Sequence, residues 1–92
     1  MPKLVKATDA ERRAYKGVYP LSHFVTVDGQ RLPVEYLGGA WSKEDPQYEV
    51  MAPVGHHFKY DETHSLLCLT LADVRERTTG AVLEACGEAC SL

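Results

Sequence analysis

Six residues in the second half of the chain carry side chains that ligate metals or serve as nucleophile and base: His56, His57, His64, Cys68, Cys86 and Cys90. The pairs His64-x3-Cys68 and Cys86-x3-Cys90, with 17 residues between them, offer the mix of imidazole and thiolate donors that tetrahedral zinc takes. Two ligands four positions apart meet one ion on a helix or tight turn, but on an extended strand they stand roughly 13 Å apart, too far to share it. The C-x2-C knuckle usual in zinc modules is missing. No cofactor is therefore expected, and a zinc-stabilised accessory protein using His64, Cys68, Cys86 and Cys90 is the alternative. The same residues allow a Cys-His nucleophilic pair, and hence a compact hydrolase as a third reading, because a thiolate needs a neighbouring base. Three cysteines are an odd number. This argues against a closed disulfide framework and leaves free thiols or metal ligands.

Carboxylates adjoin at Glu44-Asp45 and Asp61-Glu62, both in turn-like segments where solvated charge needs no further role. Gly38-Gly39 lacks the lysine and the strand, loop and helix setting of a phosphate-binding loop, and reads as a bend. The cations are more informative. Residues 1–31 hold six (Lys3, Lys6, Arg12, Arg13, Lys16, Arg31) against three anions, whereas residues 32–92 hold four against ten. Such asymmetry either gives a dipolar surface that steers partners or is self-complementary and cancels on folding. With Tyr15, Tyr19 and Phe24 nearby, the basic stretch suits an acidic protein surface or a nucleic acid. The overall charge of −3 weighs against a dedicated nucleic-acid binder.

The elements that must position these groups follow from local chemistry. Thr8 and Glu11 form a capping box ahead of Arg-Arg-Ala-Tyr-Lys-Gly17, which predicts a helix over 9–16 with Gly17 as its left-handed stop. Its apolar positions are only Ala10, Ala14 and Tyr15. It should pack shallowly and present Arg12, Arg13 and Lys16. Two alternating runs, 21–27 and 30–36, flank Asp28-Gly29 and predict a hairpin with a two-residue turn. That register pairs 27 with 30, 25 with 32 and 23 with 34. One face then collects Leu21, Val25, Val27, Leu32, Val34 and Tyr36, and the other Phe24, Thr26, Arg31 and Glu35. Pro33 donates no ladder hydrogen bond, so the second strand is expected to have an open side.

Further along, Tyr48–Ala52 alternates like a third strand and Ser65–Leu69 is an apolar run suited to a central one. Thr70 and Asp73 open a helix over 71–79 closed by Gly80, with one continuous helix over 63–79 as the alternative. Residues 56–60 read as a brief strand or loop, and 81–86 as a last strand, with a helical turn as the alternative. Trp41 and Tyr48 are expected in the core.

Ninety-two residues make one domain, and 45% apolar with 25% charged residues is an ordinary globular composition. The expectation is a single α+β domain over 1–92: a small antiparallel sheet of four or five strands, with two short helices. The opening Met-Pro-Lys-Leu-Val-Lys has no apolar run of signal-peptide length, and no segment reaches the roughly 20 apolar residues of a membrane span. An intracellular, cytoplasmic protein without membrane association is expected. With no catalytic motif, the function expected is stoichiometric binding to a protein or nucleoprotein complex with an acidic surface, through Arg12, Arg13, Lys16, Phe24 and Arg31. Size and lack of motifs place such a chain with phage and mobile-element inhibitors of host machinery, the anti-CRISPR class among them.

Overall fold

A computed structural model describes residues 3–38 and 45–86. The element order is β1 (Leu4–Lys6), α1 (Asp9–Ala14), β2 (Leu21–Val27), β3 (Gln30–Tyr36), β4 (Tyr48–Met51), β5 (His56–Phe58), β6 (Ser65–Cys68), α2 (Leu71–Thr78) and β7 (Leu83–Ala85). Five strands form one sheet in the order β1-β2-β3-β4-β6, and β5 pairs with β7 in a second, two-stranded sheet. Every pairing is antiparallel, as the α+β expectation requires. The segment 63–79 divides into a strand and a helix. Trp41 lies outside the described residues.

The hairpin turn is as the sequence dictates. Asp28 and Gly29 both have positive φ, 51° and 76°, the twist that joins two antiparallel strands through two residues. Val27 faces Gln30, Val25 faces Leu32 and His23 faces Val34. Cross-strand pairing then carries one buried face outward through Val34↔Val50 and Val50↔Leu66. Val25, Val27, Leu32, Val34, Val50, Leu66 and Cys68 line this inner face. Val74 of α2 and Phe58 and Leu83 of the small sheet close over it. Full burial of each such side chain contributes about 1.5–3 kcal/mol, enough to make this layer the main source of stability.

The register departs from expectation at one point. A bulge between Leu21 and His23 puts Leu21 opposite Glu35 rather than Tyr36. An extra residue in one strand reverses which face the residues beyond it occupy. Leu21 therefore joins Glu35 on the outer face, where both are buried. Tyr36 keeps the inner register but sits where the core runs out, 40% exposed and tilted against Tyr48 with ring centroids 5.4 Å apart. Pro33 is likewise corrected. It pairs with Phe24, just outside the Val34–Tyr36 stretch that binds β4, so β3 is an internal strand. The outer edge falls instead to β6, whose Leu67 carbonyl accepts a hydrogen bond from the Arg77 guanidinium at 2.6 Å. The short β1 carries only Leu4 as a large partly buried residue, too weak a pattern to read beforehand.

The capping box of α1 forms as read: Thr8 Oγ1 accepts from the Glu11 amide, and Glu11 Oε1 accepts from the Thr8 amide. The helix stops at Ala14, before the expected Lys16. Tyr15 turns extended (φ −69°, ψ 134°) and drops its ring onto the sheet. Gly17 is not the left-handed stop that was expected.

At the turn, a β-branched side chain resists positive φ at a cost of about 1–3 kcal/mol. Gly29→Val should lower the melting temperature by roughly 4–8 °C for each kcal/mol lost, whereas exposed Thr26→Ser should change it little. Circular dichroism melts of the two variants check the register, and equal melting for Gly29→Val and the parent contradicts it.

Candidate functional site

α1 lies over the outer face of the sheet, held by polar contacts rather than by apolar burial. None of its residues is buried. Arg31 Nη2 makes an ion pair with Glu11 Oε2 at 2.8 Å, and its guanidinium carbon stands 3.6 Å from the centre of the Phe24 ring. The Thr8 amide first, and then Arg31, hold the Glu11 carboxyl below the usual carboxylate range. Arg31, expected with Phe24 in the partner-binding surface, ties the helix to the sheet through Glu11, and its guanidinium lies over the Phe24 ring.

The second fastening is Tyr15. Its hydroxyl donates to Oε2 of Glu35, a carboxylate only 2% exposed. Burial, followed by the hydrogen bond to Glu35 and the charges of Glu35 and Glu49, pushes the Tyr15 hydroxyl pKa well above its ordinary value. Gly17 covers this contact. A Cβ there would clash with Glu35 Oε2 and the Tyr15 ring, so this glycine is required by close approach. Glu49 is the cross-strand neighbour of Glu35 and accepts from Ser65 Oγ at 2.8 Å. Among the described residues, no buried side-chain nitrogen or oxygen lacks a partner. The Glu35 and Glu49 pair was missed in the sequence because the residues are 14 apart and become neighbours only through β3–β4 pairing.

Between α1 and the start of β2 runs a cleft of about 370 Å³, lined by Asp9, Arg12, Arg13, Pro20 and Leu21. A second cleft of about 290 Å³ shares Arg12, Pro20 and Leu21 and adds Lys6, Ser22, Tyr36 and Tyr48. Arg12 and Arg13 thus border the first cleft and Lys6 and Arg12 the second, which adjoin at Arg12, Pro20 and Leu21; the tyrosines line the second. His23 stands opposite Lys6 in the ladder. Its pKa is lowered, by burial first and then by Lys6. Lys16 is exposed and lines neither cleft.

The described histidines and cysteines have separate surroundings, save His57 and Cys86. Cys68 is a free thiol in the core, its pKa raised to about 11, mainly by burial. His64 Nδ1 donates to the His56 carbonyl at 3.2 Å. Cys86 is disulfide-bonded, which corrects the expectation of free thiols or metal ligands, since a disulfide sulfur is not a thiolate donor. Cys90 and Glu44 lie outside the described residues. Among the described residues, no group of three or more His, Cys, Asp or Glu side chains is placed to hold a metal ion. The structure does bring His57 Nδ1 within 3.4 Å of Cys86 Sγ, with Glu84 Oε1 3.3 Å from the other ring nitrogen.

No protein-family model, curated protein or solved structure matches the chain. Among the described residues, no helix is long and apolar enough to cross a membrane.

The raised Tyr15 pKa fixes the sign of an alkaline effect. The unfolded hydroxyl ionises near 10.0 and the folded one later, so this contribution to stability is complete below pH 10 and is lost as pH rises toward the folded value. Denaturation midpoints measured on either side of pH 10 should fall more steeply for the parent than for Tyr15→Phe. Parallel curves contradict the assignment.

Proposed function

We propose that the protein acts by stoichiometric binding, and that the two adjoining clefts bordered by Lys6, Arg12 and Arg13 receive an acidic segment of a partner protein. One observation carries this reading: two clefts that adjoin at Arg12, Pro20 and Leu21 are bordered by three cations from two elements, with Tyr36 and Tyr48 in the second. The cations attract carboxylates and set the approach, while the rings and the proline offer apolar surface for an anchoring side chain. α1 is a suitable carrier because it buries nothing of its own. The exposed charges of Arg12 and Arg13 contribute little to folding and are available for recognition.

A peptide fits better than a nucleic acid. Asp9 shares the first cleft with the arginines, and the chain as a whole is negative, both unfavourable to a continuous phosphate backbone. Compared with the surface expected from the sequence, Arg12 and Arg13 remain and Lys6 joins them. Obstruction of host machinery in a phage or mobile-element setting is one use such a binder would serve, by covering an acidic patch that the machinery needs.

Titration with a glutamate-tyrosine copolymer, followed by amide chemical shifts, tests this reading. Shifts should cluster at Lys6, Arg12, Arg13, Leu21, Ser22 and Tyr36. Combined Lys6→Glu, Arg12→Glu and Arg13→Glu should keep the melting temperature and weaken binding by about tenfold or more, with a shallower salt dependence. Unchanged affinity in that variant, or preference for a thymidine oligonucleotide over the copolymer, overturns the reading.

A further inference from the structure

The two edges of the five-stranded sheet are finished differently. On β6, the carbonyls of His64 and Cys68 accept from the Ala52 and Gln47 amides beside β4, so alternation turns the backbone of Leu67 to the open side. Its carbonyl is taken there by the Arg77 guanidinium at 2.6 Å. That edge is blunted from within the chain.

The opposite edge, β1, has no such cover. The Lys3 carbonyl accepts from the Thr26 amide and the Ala7 amide donates to the Ser22 carbonyl, both at 3.1 Å. With Val5 opposite Phe24 between them, residues 3, 5 and 7 serve β2. The amides and carbonyls of Leu4 and Lys6 therefore face outward, and among the described residues no other strand takes them. Side chains alternate along the same strand. Val5, 41% exposed, shares the outer face with its partner Phe24. Leu4 lies on the inner face, packed against the core. Lys3 and Lys6 bracket these two and are exposed.

We propose that β1 takes up an extended acidic segment of the partner protein as a sixth strand of the sheet, antiparallel to β1. Acidic chemistry for this partner rests on the reading of the clefts above; what β1 adds is its extended conformation. Main-chain hydrogen bonds to Leu4 and Lys6 supply affinity, and the facing side chains supply specificity. Read from its N-terminal side, the incoming strand meets Lys6, Val5, Leu4 and Lys3 in turn. The complementary pattern is acidic, apolar, apolar, acidic. Residues preceding this stretch lie past Lys6, which also lines the second cleft beside Arg12. Further carboxylates there meet Arg12 and Arg13. A second copy of this chain fits poorly, because it would set its own Lys3 and Lys6 against these lysines, and like charges across a strand pair repel.

The probe is a synthetic peptide with blocked ends, Glu-Asp-Glu-Glu-Val-Val-Glu, titrated into the full chain. At saturation, hydrogen exchange of the Leu4 and Lys6 amides should slow about tenfold or more, while Val5 and Ala7, already bonded to β2, change little. Two N-methylated peptides isolate the main-chain contribution. Within the last four residues, methyl groups on the first Glu and the second Val, whose amides face β1, should weaken binding about tenfold or more; on the first Val and the last Glu, about twofold or less. Equal affinity of the two methylated peptides overturns the proposal, as does unchanged exchange at Leu4 and Lys6 or an absence of saturable binding. Protection of those amides that grows with protein concentration in the absence of peptide also overturns it, since a second copy is then the occupant. Failure of the cleft reading looks different: combined Arg12→Glu and Arg13→Glu would leave affinity unchanged while Leu4 and Lys6 stay protected, which supports the added strand alone.

Discussion

One buried carboxylate, Glu35, constrains the half of the molecule that carries the proposed binding clefts. A carboxylate removed from water on a central strand costs several kcal/mol unless donors meet it, and Tyr15 supplies the hydroxyl that does so. Much of the neighbouring geometry follows. Tyr15 must leave helical geometry to reach down, so α1 ends at Ala14. The chain crosses so close above the contact that only glycine fits at position 17. The bulge in β2 delivers Leu21 to the same face, where it is buried beside the strand that carries Glu35. With the Glu11–Arg31 ion pair at the other end, the helix is pinned at two points. Arg12 and Arg13 are left at the mouth of the first cleft.

The two faces of the five-stranded sheet therefore work by different physics. The inner face is an apolar layer sealed by α2 and the small sheet, and its burial supplies most of the stability. The outer face is polar, with cross-strand Glu35 and Glu49, Ser65 bonded to Glu49, and Arg31 stacked on Phe24. Directly opposed carboxylates repel. The Tyr15 and Ser65 hydroxyls offset this by each donating to one of them. A face built from directional contacts fixes the position of a small helix more narrowly than an apolar smear would, which is what a binding surface requires.

Where local chemistry decides structure, the sequence was readable. Asp28-Gly29 between alternating runs determined the hairpin, Thr8 with Glu11 the start of α1, and Thr70 with Asp73 the start of α2. What escaped was non-local. Nothing around Leu21 announces a bulge, so the face assignments of Leu21, Glu35 and Tyr36 could not be extracted from alternation alone. Gly17 looked like a helix stop because its true reason, a carboxylate 18 positions away, exists only after folding. The basic residues of α1 were visible as a cluster, but Lys6 reaches the adjoining cleft only because β1 pairs with β2. The imidazole beside Cys86 likewise depends on the β5–β7 pairing across 29 residues.

The Tyr15–Glu35 contact fixes α1 and with it the clefts beside it. A double-mutant cycle of Tyr15→Phe, Glu35→Gln and their combination, read by urea denaturation, measures that contact directly. A coupling of about 1.5–3 kcal/mol is expected, the range for a hydrogen bond to a charged group away from water. A coupling near zero, with the single substitutions simply adding, contradicts it.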